Sequence, residues 1–216
     1  MKVLAIVAHP DDEIIGCGGT LIKHKKAGDR LGLVYLGKGR EKNNTQNKAK
    51  ENVLKVLEPE YSKSYSFADN KFDVQGIYEI VKAIEYVREE FDPDIVYTHH
   101  PLDLNIDHYY TSRAVVTAFR PKYEKSTVEI RLIEVLSTTE LSLERANGYS
   151  YSPNCYVDIS NCWDEKESLL KFYCGEITQN GSTRSIELMK AKAKIRGAEI
   201  GCKLAEAFVS MQRIIR

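Results

Sequence analysis

The sequence predicts an α/β fold in which a mostly parallel sheet carries helices on both faces. Three observations carry that prediction. The apolar runs KVLAIVA at 2–8 and DIVYTHH at 94–100 are nearly continuous, as in strands buried on both sides, rather than alternating. Segments with helical periodicity separate such runs. Both runs also stop abruptly in chemically capable residues, HPDDE at 9–13 and HHPLDLNIDH at 99–108, where the carboxyl ends of parallel strands would open a ligand crevice.

Taken in order, residues 2–8 form the first, central strand. A polar loop and a helix follow in GCGGTLIKHKKAG, with Leu21, Ile22 and Lys25 in helical spacing and Gly28 closing the helix. LGLVYLGKG at 31–39 reads as a second buried strand, and TQNKAKENVLKVL at 45–57 as an amphipathic helix with Ala49, Val53, Val56 and Leu57 on one face. YSKSYSFADNKF contains a short strand and a turn, 74–90 is a helix, 94–100 a further strand and 108–119 a helix. VEIRLIEVLS at 128–137 and NCYVDIS at 154–160 suit strands, and 163–175 and 183–207 suit helices. No repeat, linker or low-complexity segment interrupts residues 1–216, so one domain is expected.

Composition removes several function classes. Thirty-one Lys and Arg balance thirty-one Asp and Glu, so no overall field gathers nucleic acid. No run approaches the roughly 18 apolar residues of a membrane helix, and MKVLAIVAHPDDE meets charge too early for a signal peptide, so a cytoplasmic location is expected. The five cysteines are scattered and form no CxxC pair, which reads as reduced thiols. The N-x-S/T triplets at Asn43 and Asn180 are set aside with the cytoplasmic expectation.

Familiar catalytic motifs fail on inspection. Gly16, Gly18 and Gly19 begin a dinucleotide fingerprint whose third glycine would fall at Leu21. GLVYLGKG departs from a phosphate loop at Gly39, where a Ser or Thr is needed to hold magnesium. There is no G-x-S-x-G elbow and no H-E-x-x-H.

What remains is a cluster of histidines and carboxylates. His9 and Asp12 share one short loop after the first strand, and their mixed nitrogen and oxygen donors suit zinc or a similar divalent metal. His108, after the later strand, is the best third ligand, because two parallel strands deliver their carboxyl-end loops to one crevice. Three protein ligands leave a catalytic metal its open position. Asp11, between the ligands, can take a proton from an attacking water. Singly, each residue has a folding explanation: Asp11 or Asp12 could cap the next helix, and His108 could be a helix-end histidine. Together they place more polarity at one strand end than folding alone requires.

AHPDDEIIGCGGTL at 8–21 resembles the signature of the PIG-L/LmbE-like de-N-acetylase family, and DLNIDH at 103–108 falls where that family's second metal motif belongs. FADNKFD at 67–73 and RGAEIGCKLAEAF at 196–208 extend the resemblance along nearly the whole chain. It implies a Rossmann-like sheet, a Zn2+ cofactor held by His9, Asp12 and His108, and Asp11 as general base. Many relatives place a histidine three residues before the last ligand; here Asn105 stands there. An asparagine donates a hydrogen bond to an oxyanion but supplies no proton. His99, His100 or Asp11 itself would then serve as acid, and Asp107 would orient a catalytic imidazole.

The resemblance also implies a small-molecule partner, an N-acetylglucosamine-type amino sugar or its conjugate, with homo-oligomerisation left open. Asp69, Asn70 and Asp73, or Arg184 and Arg196, are candidates for sugar or phosphate contacts, although surface or helix-pairing roles explain each as well. Tyr109, Tyr110 and Tyr149 are candidates for the pocket rim. Two other classes compete: a metal hydrolase of another amide or ester bond, and a catalytically inactive sugar-binding module.

Overall fold

The computed structural model describes residues 1–39, 45–121, 129–177 and 181–213, so the triplets at Asn43 and Asn180 lie outside the described residues. Seven strands form its sheet: β1 (Lys2–Val7), β2 (Arg30–Gly37), β3 (Tyr61–Phe67), β4 (Ile95–His99), β5 (Glu129–Ile133), β6 (Cys155–Asp158) and β7 (Ala205–Gln212). The helices are α1 (Asp12–Lys26), α2 (Thr45–Leu57), α3 (Phe72–Gln75), α4 (Ile77–Phe91), α5 (Ile106–Ala118), α6 (Trp163–Phe172) and α7 (Ile186–Ala198).

The strand order is β3-β2-β1-β4-β5-β7-β6, parallel from β3 to β5 and antiparallel where β7 joins β5 and β6. Alternate residues of β1 feed two cores. Val3, Ala5 and Val7 pack on one face; Leu4 and Ile6 pack on the other. That two-sided burial explains the continuous apolar run. The chain leaves β1 towards β2 on one side and has β4 as the neighbour on the other, so the order reverses between β1 and β4 and opens a crevice at their carboxyl ends.

Two expectations are corrected. The polar loop after β1 is shorter than the sequence suggests, because α1 begins at Asp12 and takes in all three glycines. A Cβ at Gly16 would lie 2.6 Å from Ile133, and one at Gly19 would lie 2.9 Å from Ile159, so these glycines let the helix sit close against its neighbours. Inside α1, Cys17 leaves helical geometry at φ −145° and ψ 18°. Glu206 accepts the amides of Gly19 and Thr20 at 2.9 and 2.7 Å. Lys166 donates to Glu206 at 2.6 Å and to the Ile15 carbonyl at 2.9 Å, so a buried ion pair braces the kink.

The second correction concerns 183–207, where α7 covers only Ile186–Ala198 and residues from Ala205 form β7. The helix ends where a Cβ at Gly197 would lie 2.7 Å from the Cys202 carbonyl, and Gly201 takes φ +76° to turn the chain. The composition of AEAF favours a helix, but pairing with β5 on one side and β6 on the other overrides it. All five cysteines are free thiols. Among the described residues no helix is long and apolar enough to cross a membrane.

Candidate metal centre

The crevice between β1 and β4 brings His9, Asp12 and His108 together, with ligand-type atoms within 4.8 Å of one another and all three residues buried. The turn after β1 presents His9, whose backbone amide donates to Asp12 Oδ2 at 2.9 Å. The first turn of α1 presents Asp12, and the first turn of α5 presents His108. Asn105 caps α5, its side-chain oxygen accepting from the amides of Asp107 and His108 at 2.9 and 3.3 Å. That oxygen is spent on the cap, so the N–H groups of the amide remain to act in the cleft it lines.

Each imidazole is backed by a carboxylate. His9 Nε2 lies 2.9 Å from Asp107 Oδ2, leaving Nδ1, 3.5 Å from Asp12 Oδ2, to face the centre. His108 Nδ1 lies 3.2 Å from Asp103 Oδ1 and Nε2 lies 3.3 Å from Asp12 Oδ2. Asp103 is fixed by the hydroxyls of Thr138 and Thr139 at 3.0 and 2.6 Å. Asp107 also accepts the amides of Asn70 and Phe72 at 2.7 and 3.1 Å. It therefore orients His9 and not its sequence neighbour His108. Carboxylate-backed imidazoles are the usual surroundings of a bound transition metal.

Charge tells the same story. Burial opposes charge on His9, but Asp107, Asp12 and Asp69 outweigh it and hold this imidazole well above its ordinary range. Burial likewise opposes the charge on His108, yet Asp12 and Asp103 raise it to about 9. Asp12 is pushed up by burial but pulled down further by His108, ending well below the carboxylate range. Its Oδ1 is buried with no hydrogen-bond partner among the described residues. An unsatisfied carboxylate oxygen beside two imidazoles fits a divalent cation, with His9, Asp12 and His108 as its donors.

Asp11 lies beside this centre, 2% exposed. Burial and the charge of Asp12 hold it well above the carboxylate range, against the pull of Arg184. Its φ of +121° is unusual for a residue with a side chain and costs about 1–3 kcal/mol. The conformation is held by Glu13, whose Oε2 accepts the Asp11 amide at 3.0 Å. Glu13 Oε1 accepts from Tyr173 and Tyr35 at 2.8 and 3.2 Å, and burial pushes this carboxyl up to about 7.

His99 and His100 are not among the described residues that line the cleft beside this centre. His99 Nε2 accepts the Ala8 amide at 2.9 Å, and its ring stacks on His108 with centroids 3.9 Å apart. Burial, then the neighbouring His108, lowers it to about 3. It is a neutral platform under the His108 ring. His100 turns onto Tyr151, with ring centroids 5.2 Å apart, and its Nδ1 accepts the Leu102 amide.

A cleft opens from the centre, lined by Gln46, Asp69, Asn70, Thr138, Glu176 and Arg184 among others. Arg184 Nη2 donates to Asp11 at 3.1 Å. Sequence reasoning gave Arg184 only a speculative sugar or phosphate contact, and gave Asp103 and Glu13 no role. Asp103 stood in the quoted DLNIDH, and Glu13 was legible as a third acid following HPD at a strand end. Tyr149, a rim candidate, is 63% exposed.

Comparison with known proteins places these observations. A family model described as PIG-L, GlcNAc-PI de-N-acetylase, matches residues 4–119. The uncharacterized deacetylase YaiS of Escherichia coli K12 is 29% identical over 126 residues, 55% of this chain and 68% of that protein. The N,N'-diacetylchitobiose deacetylase of Pyrococcus horikoshii shares the fold at a TM-score of 0.75 with 20% identity, over 99% of this chain and 83% of the other. The 4-carboxy-2-hydroxymuconate hydratase GalB of Pseudomonas putida KT2440 also shares it, at a TM-score of 0.73 and 16% identity, over 100% and 98% of the chains. At these identities the structures speak to fold alone.

Proposed function

The chain belongs to the PIG-L (GlcNAc-PI de-N-acetylase) family, and from that premise we propose that it is a zinc-dependent hydrolase removing the acetyl group from an N-acetylglucosamine-type amino sugar or its conjugate. The observation that carries this reading is the gathering of His9, Asp12 and His108 within 4.8 Å at the crevice, with Asp11 on the same cleft.

His9 through Nδ1, Asp12, and His108 through Nε2 would hold the metal. Bound there, zinc supplies a Lewis acid for the acyl oxygen and lowers the pKa of a nearby water towards about 7. Asp11 takes the proton of the water that attacks the acetamido carbon, then returns it to the departing nitrogen. Asp107 and Asp103 fix the tautomers of His9 and His108, so that the nitrogens turned to the centre carry lone pairs. The Asn105 amide offers N–H donors to the acyl oxygen. Gln46, Asp69, Asn70, Thr138 and Glu176 give the cleft a polar lining suited to sugar hydroxyls. Acetate and a free amine are the products. A single domain and a cytoplasmic setting accompany this proposal.

The test is acetate release from a panel of N-acetylglucosamine conjugates by protein stripped with chelator and reloaded with zinc. Asp11→Asn should keep zinc and lose turnover; His108→Ala should lose both. The alternative of another scissile bond draws on Asn105, which cannot serve as an acid. Zinc binding without acetate from any conjugate would move the reading there.

A further inference from the structure

Attack on the amide puts negative charge on the acyl oxygen, and with zinc bound His9 and His108 have no nitrogen lone pair or proton left to answer it. His99 is committed to the Ala8 amide and His100 lies against Tyr151. Asn105 is neutral. Among the described residues lining the cleft, the cation that remains is Arg184.

Arg184 is built into place. Its amide donates to Ser182 Oγ at 3.2 Å, and the following residue, Ser185, caps α7 by accepting the Leu188 amide at 3.2 Å. The side chain is 19% exposed. Nη2 donates to Asp11 at 3.1 Å and lies 4.0 Å from Asp12 Oδ1, the unpartnered carboxylate oxygen of the metal centre. Nε is buried and has no partner among the described residues. A guanidinium tethered by one nitrogen, with a buried donor to spare, is arranged to receive a further acceptor.

We propose that Arg184 is a catalytic residue of the deacetylation, binding the acyl oxygen as it becomes an oxyanion and then the acetate that forms from it. The assignment rests on the deacetylase reading. The water oxygen adds to the carbonyl carbon, the C=O pair moves onto oxygen facing the guanidinium, and the water proton passes to Asp11. When the pair returns, the C–N bond breaks and nitrogen takes the proton from Asp11; the freed Asp11 then carries the remaining hydroxyl proton to the amine, so that an ammonium group departs and acetate is left beside Arg184.

The test uses zinc-loaded protein and its Arg184→Gln and Arg184→Lys variants, with kcat, KM, zinc affinity by chelator competition, and acetate binding by calorimetry. Loss of a positioned oxyanion donor typically lowers kcat about 10²–10³-fold. Gln should show that fall, with KM within about threefold and zinc affinity unchanged, while Lys recovers roughly tenfold and acetate binds Gln about tenfold more weakly. A kcat within about fivefold of wild type, or a loss confined to KM or to zinc affinity, would overturn the assignment. Wild-type protein that frees no acetate would defeat the deacetylase reading instead. The acetate titration then decides on its own whether Arg184 holds a carboxylate beside the metal, and equal affinity in wild type and Gln rejects it.

Discussion

Asp107→Asn isolates the carboxylate behind His9 with almost no change of shape. Asp107 is fully buried and accepts three hydrogen bonds, from His9 Nε2 at 2.9 Å, the Asn70 amide at 2.7 Å and the Phe72 amide at 3.1 Å. An asparagine has one acceptor oxygen and must turn its NH2 to one side. If the oxygen stays with His9 and Asn70, the Phe72 amide meets a donor; if it turns to Phe72, both Asn70 and His9 do. The first arrangement strands one buried N–H, costing about 1–3 kcal/mol of stability. The second forces the His9 proton onto Nδ1, the atom turned to Asp12. In both, the negative charge that makes His9 a stronger ligand is gone. Zinc affinity should fall about 10–100-fold, or roughly 1.4–2.7 kcal/mol. Chelator competition reads that fall, and thermal melting of the metal-free protein reads the stability loss. Affinity within twofold of wild type would refute the view that Asp107 supports the metal through His9.

Three further outcomes are expected of the same site and its supports. Zinc binding at pH 7 should release protons, because His108 at about 9 and His9, also raised, are protonated in the metal-free site and Asp11 is held well above the carboxylate range. Affinity should accordingly climb with pH until about 9, and release of less than one proton, measured by calorimetry in buffers of different ionisation enthalpy, would contradict this. Glu13 titrates near 7 in the folded chain against 4.5 as its reference value, so the folded state binds the proton more tightly and stability falls as pH rises between those values. The fall is about 3 kcal/mol, and metal-free Glu13→Gln should lose it; an unchanged pH profile in urea denaturation would count against the assignment. Gly19→Ala would put a methyl 2.9 Å from Ile159 and should destabilise by about 1–3 kcal/mol despite better helix propensity, so a gain in urea midpoint would refute the close-packing role.

The candidate site was more legible in the sequence than the course of the last strands. β1 and β4 announced themselves because strands buried on both faces leave continuous apolar runs, and His9, Asp12 and His108 because their polarity follows those runs so abruptly. The start of β7, residues 205–207, was read as the end of a helix and the rest of the strand was not anticipated, because its pairing partners lie far away in sequence while its composition is local. Asp103 owes its place to Thr138 and Thr139, from the segment after β5, and Arg184 reaches Asp11 across 173 positions. No local pattern encodes such encounters. His99 looked like a free acid from its position, and only its contact with the Ala8 amide shows it to be held neutral.

The brace on the kink of α1 bears on how this chain could be divided. Residues 4–119 match the family model and carry every candidate metal ligand. Yet the amides released at the kink are held by Glu206, and the paired Lys166 comes from α6. A fragment ending near 119 would keep the ligands and lose those partners, leaving the Gly19 and Thr20 amides unanswered on the helix that carries Asp12. Such a fragment should bind zinc poorly, if it folds at all, and supplying 129–213 in trans would have to restore the brace before it restored the metal site.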